Sequence, residues 1–384
     1  MKWFVPDTKL DTDQREILTS LGDGSRNTWL QGPAGAGKSV ILAHLLYQLR
    51  EKTPKPSICV VIFTHSLIDQ YRSGLPEDLR GVPIMTPYQF AKQRDFYDVV
   101  IVDEVQDLQV VHLEAIRQRA KRVVLAGDGA QQLYGNIPGI GSDDDLVRLF
   151  SPHKQVLSIL YRITPGLVRV ISSFFKGRGL EGKRNGRQKT VQVVVAQATS
   201  RAEEVDYAWT TARERSRSGA CAALLFRHHA KLQAFVNDVL RREGKPACEI
   251  PMNRYNKPDY EVLNAHFSKH GIPAQYIGNT YGSLEQADRS GHVLFMTYHS
   301  AKGLDFETVM LPGLDTSADI EAEDTAFYVA LTRSRLELFL TYTGRPHAAL
   351  QQVLNEASDD VLRLSLPLKP TELTQSSPTS DFFF

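Results

Sequence analysis

Short apolar runs alternate with longer amphipathic stretches in both halves of the chain, the pattern of a mostly parallel sheet covered by helices on both faces. In the first half, residues 28–30 read as the end of a strand, 40–50 as an amphipathic helix, and 98–102 and 123–126 as buried strands. In the second half, apolar runs recur at 191–196, 222–226, 293–297, 308–311 and 338–342. The reading is an α/β chain with one domain over residues 1–152 and a second over 153–365. With 384 residues and 42% hydrophobic content there is enough apolar material for two or three cores. From about residue 366, Pro367, Pro370, Ser376, Ser377, Pro378 and Ser380 cannot build a core, so 366–384 is expected to be a disordered tail. No internal repeat is visible.

The apolar runs acquire chemistry at their C-terminal ends, where α/β sheets place ligands. After the first run, Gly32, Pro33, Ala34, Gly35, Ala36, Gly37, Lys38 and Ser39 fit G-x-x-x-x-G-K-[ST]. In that pattern glycines bring backbone N–H groups against phosphates, the lysine reaches β and γ oxygens, and the hydroxyl binds Mg²⁺. Strand, loop and helix stand in the order the motif requires. Residues 177–183 repeat G-x-x-x-x-G-K, but Arg184 replaces the Mg²⁺ ligand and no strand feeds the loop directly, so that copy is rejected. The run 98–102 ends in Asp103 and Glu104: the first suits Mg²⁺ through water, the second suits orienting and deprotonating a water. The run 123–126 delivers Gln131, placed to sense a γ-phosphate.

With these residues assembled, the chain resembles the UvrD/Rep-like superfamily 1 DNA helicases, in the family's motif order from residue 10 to about 343. Gln14 is similar to the family's adenine-reading glutamine. Phe63, Thr64 and His65, and the segment opening at Thr86, resemble its strand-end loops that contact DNA. The segment through Gln131 and Tyr134 resembles the link from γ-phosphate to DNA. Tyr161 and Arg162 resemble the tyrosine that stacks on adenine and the arginine that touches γ-phosphate. Thr297, Tyr298, His299, Ser300, Ala301, Lys302, Gly303, Leu304, Asp305 and Phe306 form the most specific match, and Thr332-Arg333 supplies a second arginine. The resemblance implies two tandem RecA-like domains of the P-loop NTPase class, and ATP with Mg²⁺ bound between them. The implied activity is a 3′-to-5′ motor on single-stranded DNA or on a duplex with a 3′ tail.

Departures sharpen the picture. Asn136, Ile137 and Pro138 stand where the family usually carries an aromatic base platform, worth about 1–3 kcal/mol per stacked base. Asp305 replaces the usual glutamate, shortening a ribose contact, and Leu160 and Ile163 replace polar neighbours of the Tyr161-Arg162 pair. Residues 91–102 and 228–292 are all that occupies the places of two accessory subdomains. The first insertion is therefore absent, and the second is read as a small helical remnant around 230–290, centred on 258–270. Those insertions supply duplex contact and strand separation in the family, so translocation is the firmer expectation than autonomous unwinding.

Net charge is only +1, so nucleic-acid contact must be local. The best basic cluster, Lys176, Arg178, Lys183, Arg184, Arg187 and Lys189 against Glu181, reads equally well as a solvated interdomain loop. Cys59, Cys221 and Cys248 suggest buried thiols in a reducing compartment, and no signal or membrane-spanning stretch is read, so a soluble cytoplasmic protein is expected. No nuclease carboxylate cluster is evident. A second function class stays open: a nucleotide-gated DNA-binding subunit that recruits or licenses a partner nuclease, repair or phage-defence complex. The terminal Asp381, Phe382, Phe383 and Phe384 suit either a docking peptide for such a partner or a tip folded onto its own chain.

Overall fold

The computed structural model describes residues 5–33, 35–79, 81–129, 138–157, 159–160, 164–175, 183–184, 191–278, 281–321, 324–355 and 359–367. Two parallel sheets dominate it. The first comprises β1 (Thr28–Gln31), β2 (Ile58–Ile62), β3 (Ile84–Met85), β4 (Tyr97–Asp103), β5 (Ala120–Gly127) and β6 (His153–Val156), in spatial order β3-β2-β4-β5-β1-β6. A two-stranded pair, β7 (Ile159–Leu160) and β8 (Lys183–Arg184), follows. The second sheet holds β9 (Gln192–Ala198), β10 (Ala222–Phe226), β11 (Ala274–Tyr276), β12 (Val293–Thr297), β13 (Phe306–Leu311), β14 (Ser334–Thr343) and β15 (Val361–Ser365), in order β11-β12-β10-β13-β14-β9-β15. The apolar runs are nearly continuous because both faces of a parallel sheet are covered. Each residue of β2, β10 and β12 is buried.

In the first domain the helices are α1 (Thr12–Asp23), α2 (Lys38–Glu51), α3 (His65–Gly74), α4 (Pro87–Lys92), α5 (Val110–Arg119) and α6 (Asp143–Phe150). Those of the second are α7 (Pro165–Phe174), α8 (Arg201–Arg215), α9 (His229–Arg242), α10 (Glu261–His270), α11 (Leu284–Ser290), α12 (Thr325–Leu331) and α13 (Ala348–Asn355). Local chemistry sets several starts: Asp11 with Gln14, Thr86 with Gln89, and Ser142 with Asp145 form capping boxes, satisfying first-turn N–H groups. The α3 helix of the first domain packs on α11 of the second, and one apolar cluster, including Leu67, Ile68, Leu284 and Ala287, runs through both domains.

Two expectations need correction. The boundary at 152 is too early, because β6 pairs in parallel with β1 and closes the first sheet. Its sequence is polar and mostly exposed, so no apolar run announced it. The stretch read as a small helical remnant within the second domain packs into it: Tyr260, Leu263 and Phe267 enter its core, and β11 pairs with β12 at the sheet edge. Finally, Leu366 is buried and its N–H donates to Gln197 O, so the ordered chain runs past β15 by at least that residue; the rest of the expected tail, from 368, lies outside the described residues. No helix among the described residues is long and apolar enough to cross a membrane.

All three cysteines are buried free thiols. Burial pushes the Cys59 and Cys221 thiols up to about 12. At pH 8 neither is a thiolate, the reactive species. Native protein should therefore leave Cys59 and Cys221 unlabelled by a thiol-specific chromogenic reagent over minutes, with full reaction only after denaturant is added. Rapid native labelling at either would contradict this packing.

Candidate active site between the two domains

The loop after β1 enters α2 through two left-handed glycines, Gly35 at φ 74° and Gly37 at φ 87°. A side chain would be strained at both. Gly37 is the N-cap of α2, so the positive end of a 14-residue helix opens into the loop. Lys38 begins that helix but folds back, its Nζ donating to Gly32 O at 2.7 Å and Pro33 O at 3.2 Å. The loop therefore concentrates N–H dipoles and one buried ammonium around a single point, the arrangement an anion requires.

Beside it, the end of β4 supplies Asp103, fully buried. Its Oδ2 accepts from Ser39 Oγ at 2.8 Å and Tyr71 OH at 2.9 Å, and its Oδ1 from Glu104 N at 3.0 Å. Burial, with the neighbouring Glu104 charge, pushes the Asp103 carboxyl above its ordinary value despite these donors. A hydroxyl and a carboxylate in contact form a hard-oxygen pair that fits Mg²⁺, which takes few protein ligands and keeps waters and phosphate oxygens. Among the described residues no group of three His, Cys, Asp or Glu offers a larger metal cage.

Glu104 sits in the left-handed region at φ 55°, an uncommon conformation for a residue with a side chain. Gln106 Nε2 donates to Glu104, while Gln106 Oε1 accepts from Asp128 N at 3.1 Å, tying the ends of β4 and β5 together. Gly127 is needed here, since a Cβ would lie 2.5 Å from Gln106 Oε1. Burial alone would raise the Glu104 carboxyl, but Lys302, Lys38 and Arg333, with the Gln106 hydrogen bond, outweigh it and hold it below the ordinary carboxylate range. Glu104 is thus ionised at neutral pH and able to accept a proton.

Two of those cations come from the second domain. Lys302, after β12, donates to Asp107, and both side chains are buried. Gly303, at φ 76°, lies against α3, where a Cβ would meet Leu67 Cδ1 at 2.4 Å. Arg333, after α12, is buried and donates to Val329 O at 2.9 Å, Leu304 O at 3.3 Å and Thr332 Oγ1 at 3.1 Å; its Nη1 lies 4.0 Å from Asp305 Oδ1. Breaking the Lys302–Asp107 pair from one side strands a buried charge. Lys302→Ala should destabilise the protein by about 3–5 kcal/mol, while a Lys302→Met, Asp107→Leu double variant should recover most of it. Denaturation midpoints of wild type, Lys302→Ala and the double variant check this, and a double variant no more stable than Lys302→Ala would contradict it.

Of the residues singled out in the sequence, Gly32, Pro33, Gly35, Ala36, Gly37, Lys38 and Ser39 converge with Asp103 and Glu104; from the other domain Arg333 acts on Glu104, Asp305 lies beside Arg333, and Gly303 lies against Leu67 of α3. Gln14 is buried in the first turn of α1, where its Oε1 accepts from Asp11 N. Phe63, Thr64 and His65 follow β2, Thr86 follows β3, and Thr297 and His299 end and follow β12, all at C-terminal strand ends. The threonine hydroxyls at these strand ends are engaged locally. Thr64 caps Leu67 N at 3.3 Å, Thr86 both accepts from and donates to Gln89, and Thr297 bonds Ser300. Ala34, Gln131, Tyr134, Tyr161 and Arg162, and the basic cluster apart from the strand pair Lys183–Arg184, lie outside the described residues. Sequence reasoning gave no role to Lys302, although it stands inside the Thr297–Phe306 match, or to Gln106 and Asp107, which follow closely on Asp103 and Glu104, and it missed Tyr71, which nothing in the local pattern distinguishes from a core aromatic.

A family model described as an AAA domain matches residues 9–134, and one described as the UvrD-like helicase C-terminal domain matches residues 275–345. The chain is 36% identical over 80 residues to a probable DNA helicase II homolog of Mycoplasma capricolum subsp. capricolum, covering 18% of this chain and 11% of that protein. It is 29% identical over 96 residues to DNA helicase II of Rickettsia typhi, covering 20% of this chain and 15% of that one. The matched stretches thus span a minor share of both relatives. A structure of PRRSV helicase aligns over 88% of this chain and 56% of its own, at 15% identity and a TM-score of 0.43. Both halves of the two-domain site therefore carry a match of their own, the P-loop half to the AAA domain and the Thr297–Arg333 half to the UvrD-like helicase C-terminal domain, and with the DNA helicase II relatives they support a UvrD/Rep-like superfamily 1 helicase.

Proposed function

We propose that this chain is an ATP-dependent translocase that moves 3′ to 5′ along single-stranded DNA by coupling hydrolysis to movement between its two domains. The observation that carries the reading is the Glu104 carboxylate, held ionised by Lys38 of its own domain and by Lys302 and Arg333 of the other. A site completed by two domains responds to their separation. ATP lies between them, with Gln14 and Tyr161 at adenine, Asp305 toward ribose, and the 32–39 loop and Lys38 at phosphate. Mg²⁺, held by Ser39 and Asp103, supplies charge neutralisation at the phosphate oxygens when bound. Glu104 takes a proton from the attacking water as its oxygen bonds to the γ-phosphorus and the bridging P–O bond breaks toward ADP. Arg162 and Arg333 offset charge on the transferring group, and Gln131 reports its presence to the strand-end loops.

DNA contacts are assigned to Phe63, Thr64, His65, Thr86, Tyr134, Thr297 and His299, with phosphates held largely through backbone groups. With residues 91–102 too few for an accessory subdomain, translocation is favoured over unwinding by the chain alone. A nuclease or repair factor as partner, a repair or phage-defence setting and a cytoplasmic location suit this reading.

Fluorescently end-labelled oligonucleotides of increasing length test it. A lag that grows with length for a 5′-end label, with ATP, is the expected result. Absence of length dependence, or the opposite polarity, would exclude a 3′-to-5′ translocase. Binding should weaken with salt at a slope of about −0.7 per neutralised phosphate on a log–log plot.

A further inference from the structure

The α3 helix touches three things at once. Its N-cap is Thr64, at the strand end assigned above to DNA. One turn on, Leu67 meets Gly303 of the second domain. One turn further, the Tyr71 hydroxyl, from a ring only 3% exposed, donates to Asp103 Oδ2 at 2.9 Å, on the same oxygen that Ser39 contacts. Leu67 and Tyr71 are four residues apart and so share one helical face, which makes the helix a rigid spacer between these contacts. From this geometry we infer that Tyr71 is a positioning residue: it fixes the Asp103 carboxylate and transmits the position of α3, set by DNA and by the second domain, to the Mg²⁺-bearing side of the ATP site.

This inference rests on the proposed DNA-coupled ATP hydrolysis. Asp103 Oδ2 has two hydroxyl donors, so a shift of α3 by a fraction of an ångström changes how that oxygen is shared between Ser39 and Tyr71. A hydroxyl can hold a carboxylate in this way without touching substrate. The ring itself fills core space beside Leu67 and Ile68, so Tyr71→Phe removes the hydroxyl and keeps the packing.

The experiment compares wild type, Tyr71→Phe and Glu104→Gln in three measurements. Thermal melting reports whether the fold is kept. Binding of a fluorescent ADP analogue across a Mg²⁺ titration reports the metal side without turnover. Steady-state hydrolysis with and without single-stranded DNA reports the coupling. Tyr71→Phe should stay folded, melting no more than a few degrees below wild type, and need about tenfold more Mg²⁺ for tight analogue binding, in keeping with loss of one charge-assisted hydrogen bond. Its ratio of DNA-stimulated to basal hydrolysis should fall about tenfold. An unchanged Mg²⁺ requirement, or an unchanged stimulation ratio, overturns the inference, as does a lowered melting temperature accompanied by equal loss of metal-free and Mg²⁺-dependent binding. Should wild type itself show no stimulation by DNA, the proposed function fails and not the role of Tyr71 alone; Glu104→Gln identifies any contaminating hydrolysis.

Discussion

Arg333→Ala is expected to lower DNA-stimulated ATP turnover by about 10³–10⁵-fold, the range over which a supplied arginine accelerates phosphoryl transfer in related chemistry. The guanidinium is buried among Val329 O, Leu304 O and Thr332 Oγ1, so its orientation is fixed by its own domain before any substrate arrives. Its charge already acts on Glu104 across the domain boundary. Removal leaves Leu304 O short of a donor, while Val329 O keeps Thr332 N and Thr332 Oγ1, so the stability cost is about 1–3 kcal/mol. Arg333→Lys separates the two effects: it keeps a positive charge but loses the planar fork, so it should melt closer to wild type and still lose most of the rate. Rapid-quench or coupled-assay turnover on all three proteins, beside their melting curves, checks this. Near-wild-type turnover in either variant would remove Arg333 from the reaction.

Glu104→Gln should lose about 10²–10⁴-fold in turnover while still binding nucleotide, the share that general base catalysis ordinarily contributes. The substitution is nearly isosteric and can keep a hydrogen bond to Gln106, so the link between β4 and β5 survives. The surrounding cations favour nucleotide binding once the carboxylate is gone, since Lys302, Lys38 and Arg333 no longer have it as a partner. Tighter ATP binding with negligible hydrolysis is the result to expect in filter-binding and turnover assays. Weakened binding with modest rate loss would instead make Glu104 a structural residue.

The sequence carried most of the site because its residues sit in short, ordered motifs at strand ends. Lys38, Ser39, Asp103 and Glu104 were legible from the phosphate loop and from an apolar run that ends in two acids, and the five apolar runs of the second half all became strands. What it did not carry has physical causes. The β6 strand is polar and exposed, and β11 is too short to show a pattern, so both edges were invisible and the domain boundary was drawn too early. Length alone pointed to a helical remnant through Tyr260, Leu263 and Phe267 but not to the way these residues close the second core. Tyr71 and the Lys302–Asp107 pair depend on contacts across 32 and 195 positions, which no local pattern encodes.

Steady-state ATP hydrolysis by the full chain, with and without single-stranded DNA, tests the central claim most directly. A site closed by Lys302 and Arg333 from the second domain predicts low basal turnover, strong stimulation by single-stranded DNA, and loss of that stimulation in Glu104→Gln. Negligible turnover despite tight, ATP-dependent DNA binding would contradict it and leave a nucleotide-gated DNA-binding subunit in place of a motor.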